Sequence, residues 1–387
     1  MSQQNVYTYA DVIEHLIQSS GGGAQDAEQR DIRTAAQNAY RDVTSEADWE
    51  CYHKLHRIAL EAPVTGGTVQ YTNSTKALVL SDATLPSTDL NHWRIIINRD
   101  VCRFASSSSS TDAVLDSIIN PTADVAAGTT CTIYKNTYAL PTDFRNMDNP
   151  IPKNLWSSGC YLTPGEFARY ERRVLLAGSP FRWTIENDTE QIGGFVVRTW
   201  GYPVSDESLD FLYRRWPRQI KRSGHESASR VGTVSTTAGS TTVTGSGTSF
   251  TSAMVGSYIR ISGDSTNSPE GLGGLNPYQE QLRIKSVAST TSLTAETAAE
   301  YTASGVKYIV TDPLDIPYYM VSLMQACSEY HLSRVRSKDN ADEKYALYMH
   351  CLRRALEMDV VAPLSGRIGR LYDTMGNRSP RERDMGV

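Results

Sequence analysis

The chain has 387 residues and a formal charge of −5, with 40% hydrophobic and 21% charged residues. That length calls for two or three structural units rather than one core. No apolar run approaches the roughly 18 residues a membrane span needs, and the opening MSQQNVYTYADVIEH lacks the basic-then-apolar pattern of a secretion signal. The expectation is a soluble protein made and kept, or assembled, in a cytoplasm, and the acidic balance argues against a free-standing nucleic-acid binder.

Residues 8–47 predict two helices. Thr8 can cap the first, whose stripe of Val12, Leu16 and Ile17 ends at Gly21, Gly22 and Gly23. Ile32, Ala36, Ala39, Tyr40, Val43 and Ala47 recur at helical spacing in the second. The helix frays near Trp49 and a strand begins at His56. From there to Trp216 the pattern is mostly β, with short candidates at 68–71, 76–80, 93–97, 101–104 and 130–134. The serine run 106–110 reads as a mobile loop. One helix interrupts: Thr163, Pro164, Gly165 and Glu166 form a capping box with Pro at the first helical position. It is expected to continue through Phe167, Tyr170, Val174 and Leu175 and to stop at Gly178. Strands follow at 181–185 and 195–200, and along the alternation Leu209, Phe211, Tyr213.

Residues 231–310 are rich in Thr, Ser and Gly. Short runs at 233–235, 241–244, 258–261, 282–287, 292–294 and 308–310 predict a small β-sandwich or barrel inserted into the chain. The loop 264–277 reads as a mobile tip. A helical hairpin over 311–361 closes the pattern. Asp312 and Asp315 with Pro313 and Pro317 form its start signal, and Met320, Leu323, Met324, Cys327 and Tyr330 its first stripe. The polar run 337–340 breaks it. Ala341, Tyr345, Tyr348, Leu352 and Leu356 carry the second helix, closed by Pro363 and Gly366. Neither helix buries its stripe alone, so the N-terminal helices are the expected partners. The fold class is therefore α+β: N-terminal helices (1–55), a central β-rich domain with one helix (56–222), an inserted β domain (223–311), a C-terminal hairpin completing a bundle (312–362), and an extended arm (363–387).

Little points to catalysis, and no catalytic, cofactor or metal residue is predicted. No G-x-S-x-G elbow occurs. Gly245, Ser246 and Gly247 lack the lysine of a phosphate loop and precede no helix. Cys51, His53 and His56 lie close in sequence but lack a fourth metal ligand. Asp112 and Asp116, placed to share a helix face, have no histidine or second acid pair beside them. The six cysteines, Cys51, Cys102, Cys131, Cys160, Cys327 and Cys351, contain no C-x-x-C pair and read as buried thiols. Tyrosine, with 21 copies against 7 Phe and 6 Trp, suits subunit interfaces. In the arm, Leu364, Ile368, Leu371, Tyr372 and Met375 alternate with Arg367 and Arg370, a mixture suited to docking in a groove.

The order of these parts resembles the head-to-tail adaptor (neck, or connector) proteins of tailed bacteriophages, the short-tailed type above all. The stretches that carry it are IRTAAQNAYRDVTSEADWECYHKLHRIAL, YALPTDFRNMDNPI, the helix from Thr163 with Gly178, Ser179 and Pro180 before FRWTI, RTWGYPVSDESLDFLYRRWP, and the Asp312, Pro313, Ile316, Pro317 entry to the last helices. GTVSTTAGSTTVTGSGTSFTSAMVGSYIRI is similar to small β modules of phage virion proteins. The insert is a departure from the smaller adaptors. The resemblance implies a structural, non-enzymatic ring at the head-tail junction, commonly of about twelve subunits. It implies a portal protein above, bound by the arm, a tail or nozzle protein below, and DNA passing through without specific binding. The insert's role does not carry over from the family, and tail fibres or the next tail ring are the expected partners of an outward-facing insert. The acidic balance fits a conduit that must not hold DNA phosphates. Two other readings stand beside it. One is a tail-fibre or receptor-binding protein whose β domain recognises a host glycan, though the fixed repeats of a fibre are missing. The other is a virion-borne cell-wall hydrolase, which would need an acid pair or a Cys/His site.

Overall fold

The structure, a computed structural model, describes residues 6–20, 26–87, 89–150, 161–170, 182–188, 193–271, 274–336 and 340–361. It divides into two units, Met1–Cys51 with Pro217–Val387, and Tyr52–Trp216. In chain order, α1 (Tyr9–Ser19) and α2 (Asp26–Ser45) open the first unit. The second holds β1 (His53–Leu60), β2 (Val64–Thr72), β3 (Ala77–Ser81), β4 (Trp93–Ile97), β5 (Asp100–Ser107), β6 (Asp112–Leu115), β7 (Val125–Lys135), β8 (Thr137–Ala139), β9 (Phe144–Pro150), α3 (Pro164–Phe167), β10 (Arg182–Asn187), β11 (Phe195–Trp200) and β12 (Glu207–Arg215). The chain then returns to the first unit with β13 (Thr233–Thr236), β14 (Thr242–Ser246), β15 (Tyr258–Ser262), β16 (Tyr278–Ser289), β17 (Ser292–Ala295), β18 (Ala303–Val306), β19 (Tyr308–Thr311), α4 (Val321–Val335) and α5 (Ala341–Val361). The protein is thus mixed α and β.

In the Tyr52–Trp216 unit, six strands close into an antiparallel barrel in the order β2-β3-β6-β5-β4-β7. Period-two alternation sends Val69, Tyr71, Leu78, Leu80, Trp93, Ile95, Ile97, Phe104, Leu115 and Ile133 into its core. The β4–β5 connection is two residues long, Asn98 and Arg99, both at positive φ (50° and 75°) as a type I′ turn requires. Two three-stranded sheets, β1-β12-β9 and β10-β11-β8, share a second core of Ile58, Leu60, Tyr138, Phe144, Trp183, Val197, Leu209, Phe211 and Tyr213. Tyr213 keeps its hydroxyl satisfied there by donating to Asp143 Oδ1 at 2.7 Å.

In the other unit seven antiparallel strands run in the order β18-β13-β14-β17-β16-β15-β19. β18 and β19 lie at opposite ends of that order, yet only Lys307 separates them in the chain. The chain therefore passes directly from one edge strand to the other, and the sheet curves as a half-barrel around Val234, Val243, Ile259, Ile261, Leu282, Ile284, Leu293 and Tyr308. Among the helices, α4 packs against α1, α2 and α5. Leu323, Met324, Cys327 and Leu332 of α4, Val12, Ile13 and Leu16 of α1, and Ile32, Ala36, Ala39 and Val43 of α2 are all buried.

Three expectations change. Asp312 and Asp315 do not start a helix: α4 begins at Val321, behind a 3-10 turn over Tyr318–Met320. The reason is that Pro313 pairs with Thr8 as a β-bridge, so the chain is still extended there. The helix at Thr163 has its capping box, with Thr163 N donating to Glu166 Oε2 at 3.0 Å, and among the described residues it is helical over Pro164–Phe167, with Tyr170 already in a turn. Val174, Leu175 and Gly178 lie outside the described residues. Asp112 and Asp116 share no helix face, because Asp112 opens strand β6 and Asp116 accepts the Ile118 amide in the loop after it. No helix among the described residues is long and apolar enough to cross a membrane.

Candidate functional site

The richest chemistry gathers where α1 meets β15 and β16. Thr8 caps α1, and its own amide donates to Asp11 Oδ2 at 2.8 Å, the return half of a capping box. Asp11 also receives a bidentate pair from Arg260 on β15: Nη1 to Oδ1 at 2.9 Å and Nη2 to Oδ2 at 2.6 Å. Arg260 is 1% exposed. Its Nε donates to Gln281 Oε1 at 2.7 Å, and its guanidinium lies 4.6 Å from the centre of the Tyr278 ring. A buried charge is tolerated only when paired and hydrogen-bonded in this way.

One helical turn on, Glu14 Oε2 accepts the Gly271 amide at 2.5 Å. A Cβ at position 271 would stand 2.5 Å from that oxygen and push the Glu14 carboxylate aside. Among the described residues Glu14 has no cationic partner comparable to Arg260. Burial, with help from Asp11 and Glu270 and against the pull of Gly271 N–H and Arg260, pushes its carboxyl up to about 7. Beside it opens a cleft of about 320 Å³, walled by Tyr7, Tyr278, Tyr318, Gln18 and Gln325. A second hollow of about 530 Å³ adjoins it and shares Glu14, Gln18 and Gly274. The loop read as a mobile tip is pinned here, by Gly271 on Glu14 and by Glu270 N to Asn276 O at 2.8 Å.

Asp312, 2% exposed, is the second polar centre. Its Oδ2 accepts the amides of Lys221 and Arg222 at 2.7 and 2.8 Å, and its Oδ1 accepts the Ser257 hydroxyl at 2.5 Å. Its carbonyl accepts the Tyr9 amide at 2.8 Å and its own amide donates to Arg222 O at 2.9 Å. Thr311 Oγ1 takes the Ala10 amide at 3.0 Å. The chain entering the β insert, the chain leaving it and the start of α1 are thus tied at one residue, the first through its carboxylate and the last through its carbonyl.

Between the helices, Cys327 and His331 lie one turn apart on α4, and His331 Nε2 is 2.9 Å from Asp42 Oδ2 on α2. The residue types are those of a Cys-His-Asp nucleophile, but the environment is wrong for one. Cys327 is fully buried, burial holds its thiol far above the usual range, and the sulfur points to Ala39 O at 3.9 Å. Burial also lowers the His331 pKa, against the pull of Asp42. The cluster fastens α2 to α4, as His15, Glu329 and Lys344 link α1, α4 and α5 through contacts of 2.8 and 2.6 Å.

Of the groups singled out in the sequence, His56 packs edge-on against Phe211 and Tyr213, ring centres 5.5 and 6.3 Å away. Gly245 and Ser246 end strand β14, and the Gly245 α-carbon faces Thr248 too closely for a side chain. Cys102, Cys131 and Cys327 are buried thiols, and Cys51 and Cys351 are half-buried. Among the described residues no three His, Cys, Asp or Glu side chains converge to hold a metal ion. Leu364, Arg367, Ile368, Arg370, Leu371, Tyr372 and Met375 lie outside the described residues, as does Cys160. No protein-family model, curated protein or solved structure matches the chain.

Proposed function

We propose that this chain is a structural virion protein of a tailed bacteriophage: a head-to-tail adaptor that assembles in the host cytoplasm into a ring between portal and tail. On this reading its N- and C-terminal helices form the adaptor's bundle, DNA passes through the ring without specific contacts, and the protein has no enzymatic role. The observation that carries the reading is the order of parts. Two N-terminal helices, a β-rich middle with the Thr163 capping box, the RTWGYPVSDESLDFLYRRWP strand pair and a C-terminal hairpin follow one another as they do in adaptors. The packing of α4 against α1 and α2 supports it too, since it brings the N- and C-terminal helical segments together as the adaptor bundle would. The arm after α5 is assigned to the portal, the lower face to a tail or nozzle protein, and the β insert to fibres.

The test is electron microscopy of the purified protein across a concentration series. Rings with a central hole, commonly of about twelve subunits, are expected. A protein that stays monomeric at every concentration, alone and with portal-bearing capsids, would overturn the assignment.

A further inference from the structure

The cleft beside Glu14 contains a precedent for its own occupant. On one turn of α1, Asp11 holds a guanidinium in bidentate fashion while Tyr278 supplies a ring face 4.6 Å away. On the next turn, Glu14 presents a second carboxylate toward the same cleft, with Tyr7 and Tyr318 on its walls. One of its oxygens is engaged by the Gly271 amide. The guanidinium that could neutralise it, Arg260, is spent on Asp11.

We infer that the cleft is a recognition site for a second guanidinium, an arginine side chain presented by a partner protein, with Glu14 as its counter-charge and the tyrosine rings as its walls. Three features select this chemistry. A carboxylate removed from water without a cation is costly, and an incoming cation offsets that cost. Tyrosine faces attract a planar cation, arginine more than lysine. Gln18 and Gln325 add amide oxygens as further acceptors around the rim. A neutral ligand such as a sugar would leave the Glu14 charge uncompensated.

The site is proton-linked, since Glu14 must ionise to pair. The groups that face it are Asp11 on its own helix, Arg260 on β15, Glu270 beyond the Gly271 contact, and the hydroxyls of Tyr7 and Tyr278. His15, His225 and Arg230 line the two hollows around it. Because Glu14 takes up its proton near neutrality, arginine binding releases that proton and strengthens as pH rises.

The assignment is independent of the virion reading, and its test uses the intact chain. N-acetyl-argininamide is titrated against the protein by NMR at pH 6 and pH 8, with the neutral isostere N-acetyl-citrullinamide as control. Saturable binding is expected at pH 8, weaker by about tenfold at pH 6, and absent for the citrulline compound. Glu14→Gln should reduce the pH 8 affinity at least about tenfold while the thermal midpoint shows the chain still folded. A chain ending at residue 365 is titrated in parallel. Binding by both chains assigns the site to a partner's arginine. Binding by the shortened chain alone assigns the guanidinium to the protein's own stretch 366–383 and replaces the partner in the proposal. Equal binding of citrulline, an unchanged affinity in Glu14→Gln, or no binding by either chain overturns it.

Discussion

Asp11 and Glu14 sit one turn apart on the same helix and meet opposite surroundings. Asp11 is matched by Arg260, so removing it strands a guanidinium that is 1% exposed. Asp11→Ala is expected to cost about 3–5 kcal/mol in urea unfolding at pH 7. The double change Asp11→Leu with Arg260→Met should cost much less, since burying no charge is cheaper than burying one alone. A single-mutant loss below about 1 kcal/mol would show the pair to be idle. Glu14 behaves the other way. Its folded pKa, about 7, lies above the ordinary 4.5. Its stabilising share is therefore complete below about pH 4.5, is lost as pH rises toward 7, and stays lost beyond. Relative to Glu14→Gln, the wild-type protein should lose up to about 3 kcal/mol between pH 4.5 and 8. Parallel stability–pH curves for the two proteins would contradict this. Little of this site was legible beforehand. Thr8 as a cap was, because capping is local. Arg260 as the mate of Asp11 was not, because 249 positions separate them and a lone arginine in the run Tyr258, Ile259, Arg260, Ile261 looks like an outward residue of a strand.

At the scale of elements, legibility followed locality. The strand 195–200 stands where its β-branched and aromatic run places it, and Leu209, Phe211 and Tyr213 all point into the core as their alternation implies. β6 and β18 escaped notice because Asp112, Ala113, Ala303 and Gly305 are residues that strands disfavour. Asp312 misled because an acid beside a proline is a common helix start, whereas here the carboxylate is consumed by the Lys221 and Arg222 amides. Of the stripe expected to need a cover, Met320 just before α4 and Leu323, Met324 and Cys327 on it are at most 1% exposed, while Tyr330 is half-buried. Removal of residues 1–47 takes away α1 and α2 and uncovers that stripe. With roughly 1.5–3 kcal/mol per large side chain, the loss rivals a whole domain's stability of about 5–15 kcal/mol. The shortened chain should therefore aggregate or melt far below the intact one. An unchanged midpoint by calorimetry would mean that α4 finds its cover elsewhere. The β insert is bound into the same body by Arg260 on Asp11 and Ser257 on Asp312. Excising it would strip Asp11 of its guanidinium and Asp312 of the Ser257 hydroxyl, so the insert is not a freely removable module.

At the scale of the whole molecule, the open question is what the chain beyond α5 does. The buried face of α5 is formed by Tyr348, Leu352, Ala355 and Asp359. Asp359 accepts a hydrogen bond from Tyr319, and its Oδ2 accepts the Glu50 amide at 3.0 Å. These contacts involve only residues before 363, so removing 366–387 leaves each of them in place. The deleted segment carries Ile368, Leu371, Tyr372 and Met375 interleaved with Arg367 and Arg370. Apolar and cationic groups so mixed gain from a groove with acidic rims and gain nothing from water. A purely electrostatic role on DNA is weaker, because five arginines over 366–383 face Asp373 and Glu382 and leave a thin positive patch. If the arm serves the adaptor role, the protein lacking 366–387 should keep its thermal midpoint and its ring, and should fail to co-sediment with portal-bearing capsids at moderate salt. Raising the salt separates the contributions. Attachment of the intact protein that survives high salt points to the apolar residues as the anchor, and attachment that fades points to the arginines. Undiminished attachment of the shortened ring would remove the arm from the docking mechanism and leave the portal contact to the folded body.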